Sequence, residues 1–159
     1  MSRDDHAPRE LRQLIRAVTP LTTRDTIASA AERISRSGAG GLPVVDDDGR
    51  LAGYLGERDL LGAICPGYLP QLGDTDFFTR DLTMLGRWVR RAADLPVADH
   101  MRSEPATLHE DDTETHAADL FLRTGSRALP VVAGDGTLVG VVRVGDLIAE
   151  LMRRLGDGA

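Results

Sequence analysis

One stretch of this chain occurs twice, and the duplication limits the possible folds more than any other feature. Residues 38–61 read GAGGLPVVDDDGRLAGYLGERDLL, and residues 125–148 read GSRALPVVAGDGTLVGVVRVGDLI. A shift of 87 residues takes Asp59 onto Asp146 and leaves 11 of 24 positions identical. Background composition would give roughly one or two. The identities include Gly38, Pro43, Gly49, Gly53 and Asp59, which a shared apolar pattern alone would not place. A unit of this size buries a core poorly by itself, so two copies are expected to close on each other about a pseudo-two-fold axis.

Each copy reads strand, helix, strand, strand, helix. In the first, Leu21-Thr22 opens an extended segment and Asp25-Thr26 offers an N-cap for a helix with Ile27, Ala30, Ala31 and Ile34 on one face. Gly38 suits the left-handed position that closes it. Leu42 to Val45 is a short apolar run with β-branched residues, Asp47-Asp48-Gly49 is a turn signal, and Leu51, Gly53 and Leu55 alternate, which predicts a β-hairpin. A helix then starts near Glu57 and carries Leu60, Leu61 and Ile64. In the second copy Thr113 repeats Thr26, Ala117, Leu120, Phe121 and Leu122 form the apolar side, and the last helix runs from about Gly145 to Arg154.

The fold class is therefore α/β (α+β mixed), built from two tandem β-α-β-β-α repeats. Residues 1–16 form an N-terminal segment with a helix, 17–65 the first repeat, 66–96 an insertion, and 97–155 the second repeat. Leu11, Leu14, Ile15 and Val18 predict that the N-terminal helix runs on until Pro20 ends it. The insertion is partly helical, with Leu82, Leu85, Trp88 and Val89 on one face, and its aromatics Tyr68, Phe77, Phe78 and Trp88 are assigned to packing or to a dimer contact.

Charge and cysteine content narrow the function. A formal charge of −6 argues against a nucleic-acid binder held by bulk positive charge. The single cysteine, Cys65, leaves no internal disulfide, which fits a reducing compartment. No signal peptide and no apolar run long enough for a membrane span are read, so a soluble, cytoplasmic protein is expected. No nucleophile motif or metal grouping is found, and no enzyme or required cofactor is expected; His109-Glu110-Asp111-Asp112 is read as acidic complement to the helix that follows.

A pseudo-two-fold pair creates two equivalent clefts. Gly53 and Gly140 are read as ending their strands just before a helix, with Asp59 and Asp146 in the first helical turn. A helix N-terminus attracts phosphate, and a carboxylate there can accept two hydrogen bonds from a ribose diol. The strand edges Gly41-Leu42-Pro43 and Ala128-Leu129-Pro130 leave room for a flat base. Two readings fit the aspartates: a nucleoside phosphate site, or simple helix capping.

These repeats, with VADHM and ATLHEDDT leading into the second, resemble the CBS motif, and the chain resembles a stand-alone CBS pair, or Bateman module. The resemblance implies a usually dimeric module that binds an adenosyl ligand (AMP, ADP, ATP or S-adenosylmethionine) and regulates an attached or partner protein. Within these residues no output domain is read, so the regulated protein is expected to be separate. The family's ribose-binding aspartate maps onto Asp59 and Asp146, and its base contacts onto Gly41, Leu42 and Pro43 and onto Ala128, Leu129 and Pro130. Its strand-start threonine maps onto Thr107, with Pro20 in the other copy.

This sequence departs from the family pattern at one pair of positions. The Ser/Thr that precedes the aspartate by three residues is Gly56 in the first repeat and Arg143 in the second. Arg143 either replaces the lost phosphate contact or fills its cleft, and Arg58 could reach a phosphate in the first cleft. The alternative to a ligand sensor is a structural, dimeric interaction protein with empty, degenerate clefts.

Overall fold

The computed structural model describes residues 8–65, 67 and 82–157. Tyr68, Phe77 and Phe78, assigned above to packing or dimer contact, lie outside them. The first repeat consists of β1 (Leu21–Thr22), α2 (Ile27–Ser37), β2 (Gly41–Val45), β3 (Leu51–Gly56) and α3 (Glu57–Ile64), preceded by α1 (Pro8–Leu14). After the insertion helix α4 (Leu82–Ala93) come β4 (Leu108–His109), α5 (Glu114–Thr124), β5 (Ala128–Val132), β6 (Leu138–Arg143) and α6 (Val144–Asp157). The strand-helix-strand-strand-helix order is present in both copies.

The two sheets are copies in register as well as order. In each, the short first strand runs parallel to the central strand, Leu21 opposite Val44 and Leu108 opposite Val131. The central strand then pairs antiparallel with its hairpin partner, with an irregularity between Val44 and Val45 and again between Val131 and Val132. The duplicated capping residues act as read: the Thr26 hydroxyl accepts from the Ser29 amide at 3.2 Å and that of Thr113 from the His116 amide at 3.1 Å. Gly38 and Gly125 close α2 and α5 at φ 64° and 63°, where a side chain would be strained. The two hairpin turns meet, Leu51 N–H donating to Gly136 O and Leu138 N–H to Gly49 O, each at 3.1 Å.

Each sheet packs its own apolar cluster, and the flanking segments choose sides unexpectedly. Leu21, Ile27, Ile34, Leu42, Val44 and Leu55 gather with Ala92 and Val97. Leu108, Ala117, Phe121, Leu129, Val131 and Val142 gather with Leu11 of α1. The N-terminal helix thus completes the core of the second repeat, while the segment leading into the second repeat completes the core of the first.

Several expectations need correction. Helix α1 stops at Leu14 rather than near Pro20, because the Arg16 backbone leaves to pair with Val141. Leu61 and Leu122 were placed on apolar faces but are 61% and 86% exposed, since the helices turn Leu60, Ala117 and Phe121 inward instead. Leu85 and Val89 of α4 are likewise exposed, while Ala92 is buried. Gly53 and Gly140 do not end strands; both sit inside β3 and β6.

Candidate functional site

The positions of Gly53 and Gly140 follow from two chain crossings. Tyr54 and Arg102 exchange both backbone hydrogen bonds at 2.9 Å, and Arg16 and Val141 do the same at 2.8 and 2.9 Å. At Gly53 a Cβ would stand 2.6 Å from Met101 Sδ and 2.7 Å from Arg102 O; at Gly140 it would run into Arg16 O. These glycines admit a crossing backbone, not a ligand. Each crossing also delivers an arginine to the aspartate at the head of the following helix.

The two aspartates are engaged unequally. Asp59 Oδ2 accepts the Gly56 amide at 2.8 Å and Arg102 Nε at 3.3 Å. Among the described residues, Oδ1 of Asp59 accepts no hydrogen bond. Asp146 is held at both oxygens, Oδ2 by Arg16 Nε at 2.6 Å and Oδ1 by Arg16 Nη2 at 2.8 Å. Short paired contacts of the second kind are the stronger form of charge-assisted bond. The pair with Asp146 raises the Arg16 pKa above its usual value, chiefly through the hydrogen bond. Capping and an available acceptor coexist at Asp59, so the two readings of that residue do not exclude each other.

The clefts differ as well. The first is a hollow of about 550 Å³ where the head of α3 faces the α5–β5 junction, lined by Gly56, Arg58, Asp59, Arg102, Arg127 and Ala128 among others. A recess of about 80 Å³ adjoins it, lined by Ala128, Leu129 and Pro130 with Tyr54 and Arg102. The first cleft therefore combines Asp59 of one repeat with Ala128, Leu129 and Pro130 of the other. Burial raises the Tyr54 pKa, with the Arg102 charge opposing, which keeps its hydroxyl neutral. The Arg102 guanidinium carbon stands 5.3 Å from the centre of the Tyr54 ring.

The second cleft is divided at Arg143. On one side lies a space of about 310 Å³ lined by Gly38, Ala39, Arg127 and residues 143–146. On the other lies an open space of about 340 Å³ lined by Leu42, Val18, Thr19 and Arg143 with others. Arg143 Nη2 donates to Ser37 O at 3.3 Å, and among the described residues its buried Nε has no hydrogen-bond partner. Glycine at the matching position, Gly56, places no side chain in the first cleft, where the larger hollow is about 550 Å³.

Three expected site residues stand aside. Gly41 lines none of these hollows; it opposes Gly56 in the hairpin, where a Cβ would stand 2.6 Å from Tyr54 Cε1. Pro43 is buried in β2 and also lines none of them. The Thr107 hydroxyl is spent on Pro105 O at 2.8 Å, beside Ala106 of the small recess. Asp112 closes the turn before α5, accepting the His109 amide at 2.7 Å, and the acidic run forms no metal-type cluster among the described residues. Tyr54, Arg102, Arg127 and Arg16 were not singled out by sequence reading. Arg16 and Arg102 lie 86 residues apart, one short of the repeat shift, so alignment of the copies does not superpose them.

Two copies of one β-α-β-β-α unit, joined at their hairpin tips and enclosing one open and one divided cleft, define a tandem-repeat module. The model of the CBS domain matches residues 11–65 and 97–153, and the chain belongs to this family. It is 30% identical over 148 residues to the chloroplastic CBS domain-containing protein CBSX2 of Arabidopsis thaliana, covering 89% of this chain and 60% of that one. It is also 30% identical over 127 residues to an uncharacterized 17.7 kDa protein of Acidianus ambivalens, covering 80% and 63%. The chain thus spans about three-fifths of the length of these curated relatives. Among solved structures, that of CBSX2 in complex with AMP matches at TM-score 0.67 and 24% identity, over 89% of this chain and 95% of the other. Among the described residues no helix is long and apolar enough to cross a membrane.

Proposed function

We propose that the chain is a regulatory module that binds one adenosyl ligand in the first cleft. The observation that carries this reading is a single hollow in which the Asp59 carboxylate, three arginines and the small residues Gly56 and Ala128 face one another. In it, Asp59 Oδ1 accepts from the ribose diol while Gly56 N–H fixes the other oxygen. The base enters toward Ala128, Leu129 and Pro130, and the phosphates lie toward Arg58 and Arg127 at the head of α3. The AMP complex of the relative CBSX2 supports an adenine nucleotide as the ligand. The module works as a cytoplasmic homodimer that regulates another protein, and it performs no catalysis.

One observation favours the alternative, an interaction protein with degenerate clefts: Arg143 already divides the second cleft. A thermal-shift panel of AMP, ADP, ATP, NAD and S-adenosylmethionine separates the two. A ligand at a hundred times its Kd stabilises by about 2.7 kcal/mol. Melting curves unmoved at millimolar concentrations of every compound would favour the interaction protein.

A further inference from the structure

The carboxylate assigned to the ribose does not stand alone in the open cleft. Arg102 Nε reaches Asp59 Oδ2 at 3.3 Å, with side-chain exposures of 52% and 19%. That distance is well beyond the 2.7–2.9 Å of a strong charge-assisted bond, and only one nitrogen makes the contact. Its counterpart, Arg16 on Asp146, is short and two-pronged. Arg102 lines both the 550 Å³ hollow and the adjoining recess, and its Nη2 would stand 3.6 Å from a Cβ at Gly56, beside Asp59. Its backbone is pinned by two hydrogen bonds to Tyr54, and the Tyr54 ring lies beneath the guanidinium. The main chain is therefore fixed while the charged end is loosely held, which is the arrangement of a group that can change partners.

We propose that Arg102 is an exchangeable counter-ion that makes the first cleft selective for a phosphate-bearing adenosyl ligand over an uncharged or cationic one; this rests on the ligand reading of the preceding section. In the empty cleft Arg102 neutralises Asp59. A nucleotide places its ribose diol across the carboxylate, so that the hydroxyl beside the one on Oδ1 contests Oδ2 with Arg102, and it supplies a phosphate to which the released guanidinium turns, so charge compensation is kept. Adenosine can displace Arg102 but gives it no new partner. S-adenosylmethionine offers a carboxylate together with a sulfonium and an ammonium; around the same hollow Arg58, Arg102 and Arg127 outnumber Glu57 and Asp59, and that balance disfavours the two cations. The arginine therefore opposes ribose binding by itself and favours it when a phosphate comes with it.

Calorimetric titration of adenosine, AMP and S-adenosylmethionine into the wild type, Arg102→Ala and Arg102→Lys tests this. The wild type should bind AMP at least tenfold more tightly than adenosine and S-adenosylmethionine. Arg102→Ala should weaken AMP tenfold or more while adenosine binds unchanged or tighter, and Arg102→Lys should recover part of the preference. If Arg102→Ala weakens AMP and adenosine alike, or leaves AMP unchanged, the exchange is wrong although the ligand reading stands. If the wild type binds none of the three, the ligand reading itself falls. Circular dichroism on the variants identifies any loss that comes from unfolding, in which case Arg102→Lys alone decides.

Discussion

Arg16 grips Asp146 with two nitrogens at 2.6 and 2.8 Å, whereas Arg102 touches the equivalent Asp59 with one at 3.3 Å. The duplicated scaffold thus presents one carboxylate held at both oxygens and one held, among the described residues, at Oδ2 alone. With Arg143 dividing the cleft beside Asp146, the two halves of a symmetric module have become unequal. Binding should accordingly depend on Asp59 and not on Asp146. Asp59→Ala is expected to weaken a bound adenine nucleotide by tenfold or more, while Asp146→Ala changes it less than threefold, as read by calorimetry.

Moving the arginine should move the blockade. At Gly56 an added Cβ would find Asp59 Oδ2 at 3.4 Å, an ordinary contact, and the backbone φ of −105° suits any residue. Gly56→Arg is therefore expected to keep the fold, divide the first cleft beside Asp59 as Arg143 divides the second, and abolish ligand-induced thermal shifts. A variant that still shifts with ligand would place the site elsewhere.

The crossing glycines predict stability rather than affinity. Gly53→Ala forces a methyl group onto Met101 and the Arg102 carbonyl, and Gly140→Ala forces one onto the Arg16 carbonyl. Overpacking of this kind costs about 1–3 kcal/mol, so urea denaturation should show both midpoints lowered. Gly145→Ala, where nothing lies within 4 Å, should leave the midpoint near that of the wild type.

Helix α6 is tied to α5 by a buried carboxylate. Glu114, 9% exposed, receives Arg154 at 2.7 and 2.9 Å. Arg154→Ala leaves that carboxylate buried without its charge partner, at a cost of about 1–3 kcal/mol measurable by chemical denaturation. Replacing both, Arg154→Leu with Glu114→Leu, should recover much of the loss.

Glu150 gives the same region a pH dependence. Its pKa is lowered from 4.5 to about 2, chiefly by the Arg153 hydrogen bond, with Arg154 adding to it. A carboxyl lowered on folding contributes stability that is complete above its unfolded value and lost as pH falls through its folded one. The melting temperature of the wild type should therefore fall between pH 4.5 and 2 more steeply than that of Glu150→Gln, and match its slope above pH 5.

The fold was legible because the repeat carries identities that specify turns and caps: Thr26 with Thr113, Gly38 with Gly125, Gly49 with Gly136. Half of the candidate site's lining was legible too, since Asp59 lies inside the repeated stretch and Gly56 stands out against Arg143. The rest escaped for a physical reason. Arg16 and Arg102 act through backbone crossings on the opposite repeat, and nothing in RAVTP or MRSEP signals a one-residue bridge. Gly53 and Gly140 are read as strand ends but lie inside β3 and β6, because nothing in sequence separates a glycine that ends a strand from one that admits a crossing backbone. Leu61 and Leu122 were misplaced because short helices with apolar residues at adjacent positions do not specify which of them turns inward.

The most direct test of the whole account is a calorimetric titration of AMP into the wild type, Asp59→Ala and Gly56→Arg. The account expects saturable binding to the wild type with one AMP per chain, and loss of that binding in both variants while their melting curves without ligand stay near the wild type. No binding to the wild type at millimolar AMP, two AMP per chain, or binding that survives Asp59→Ala would contradict it.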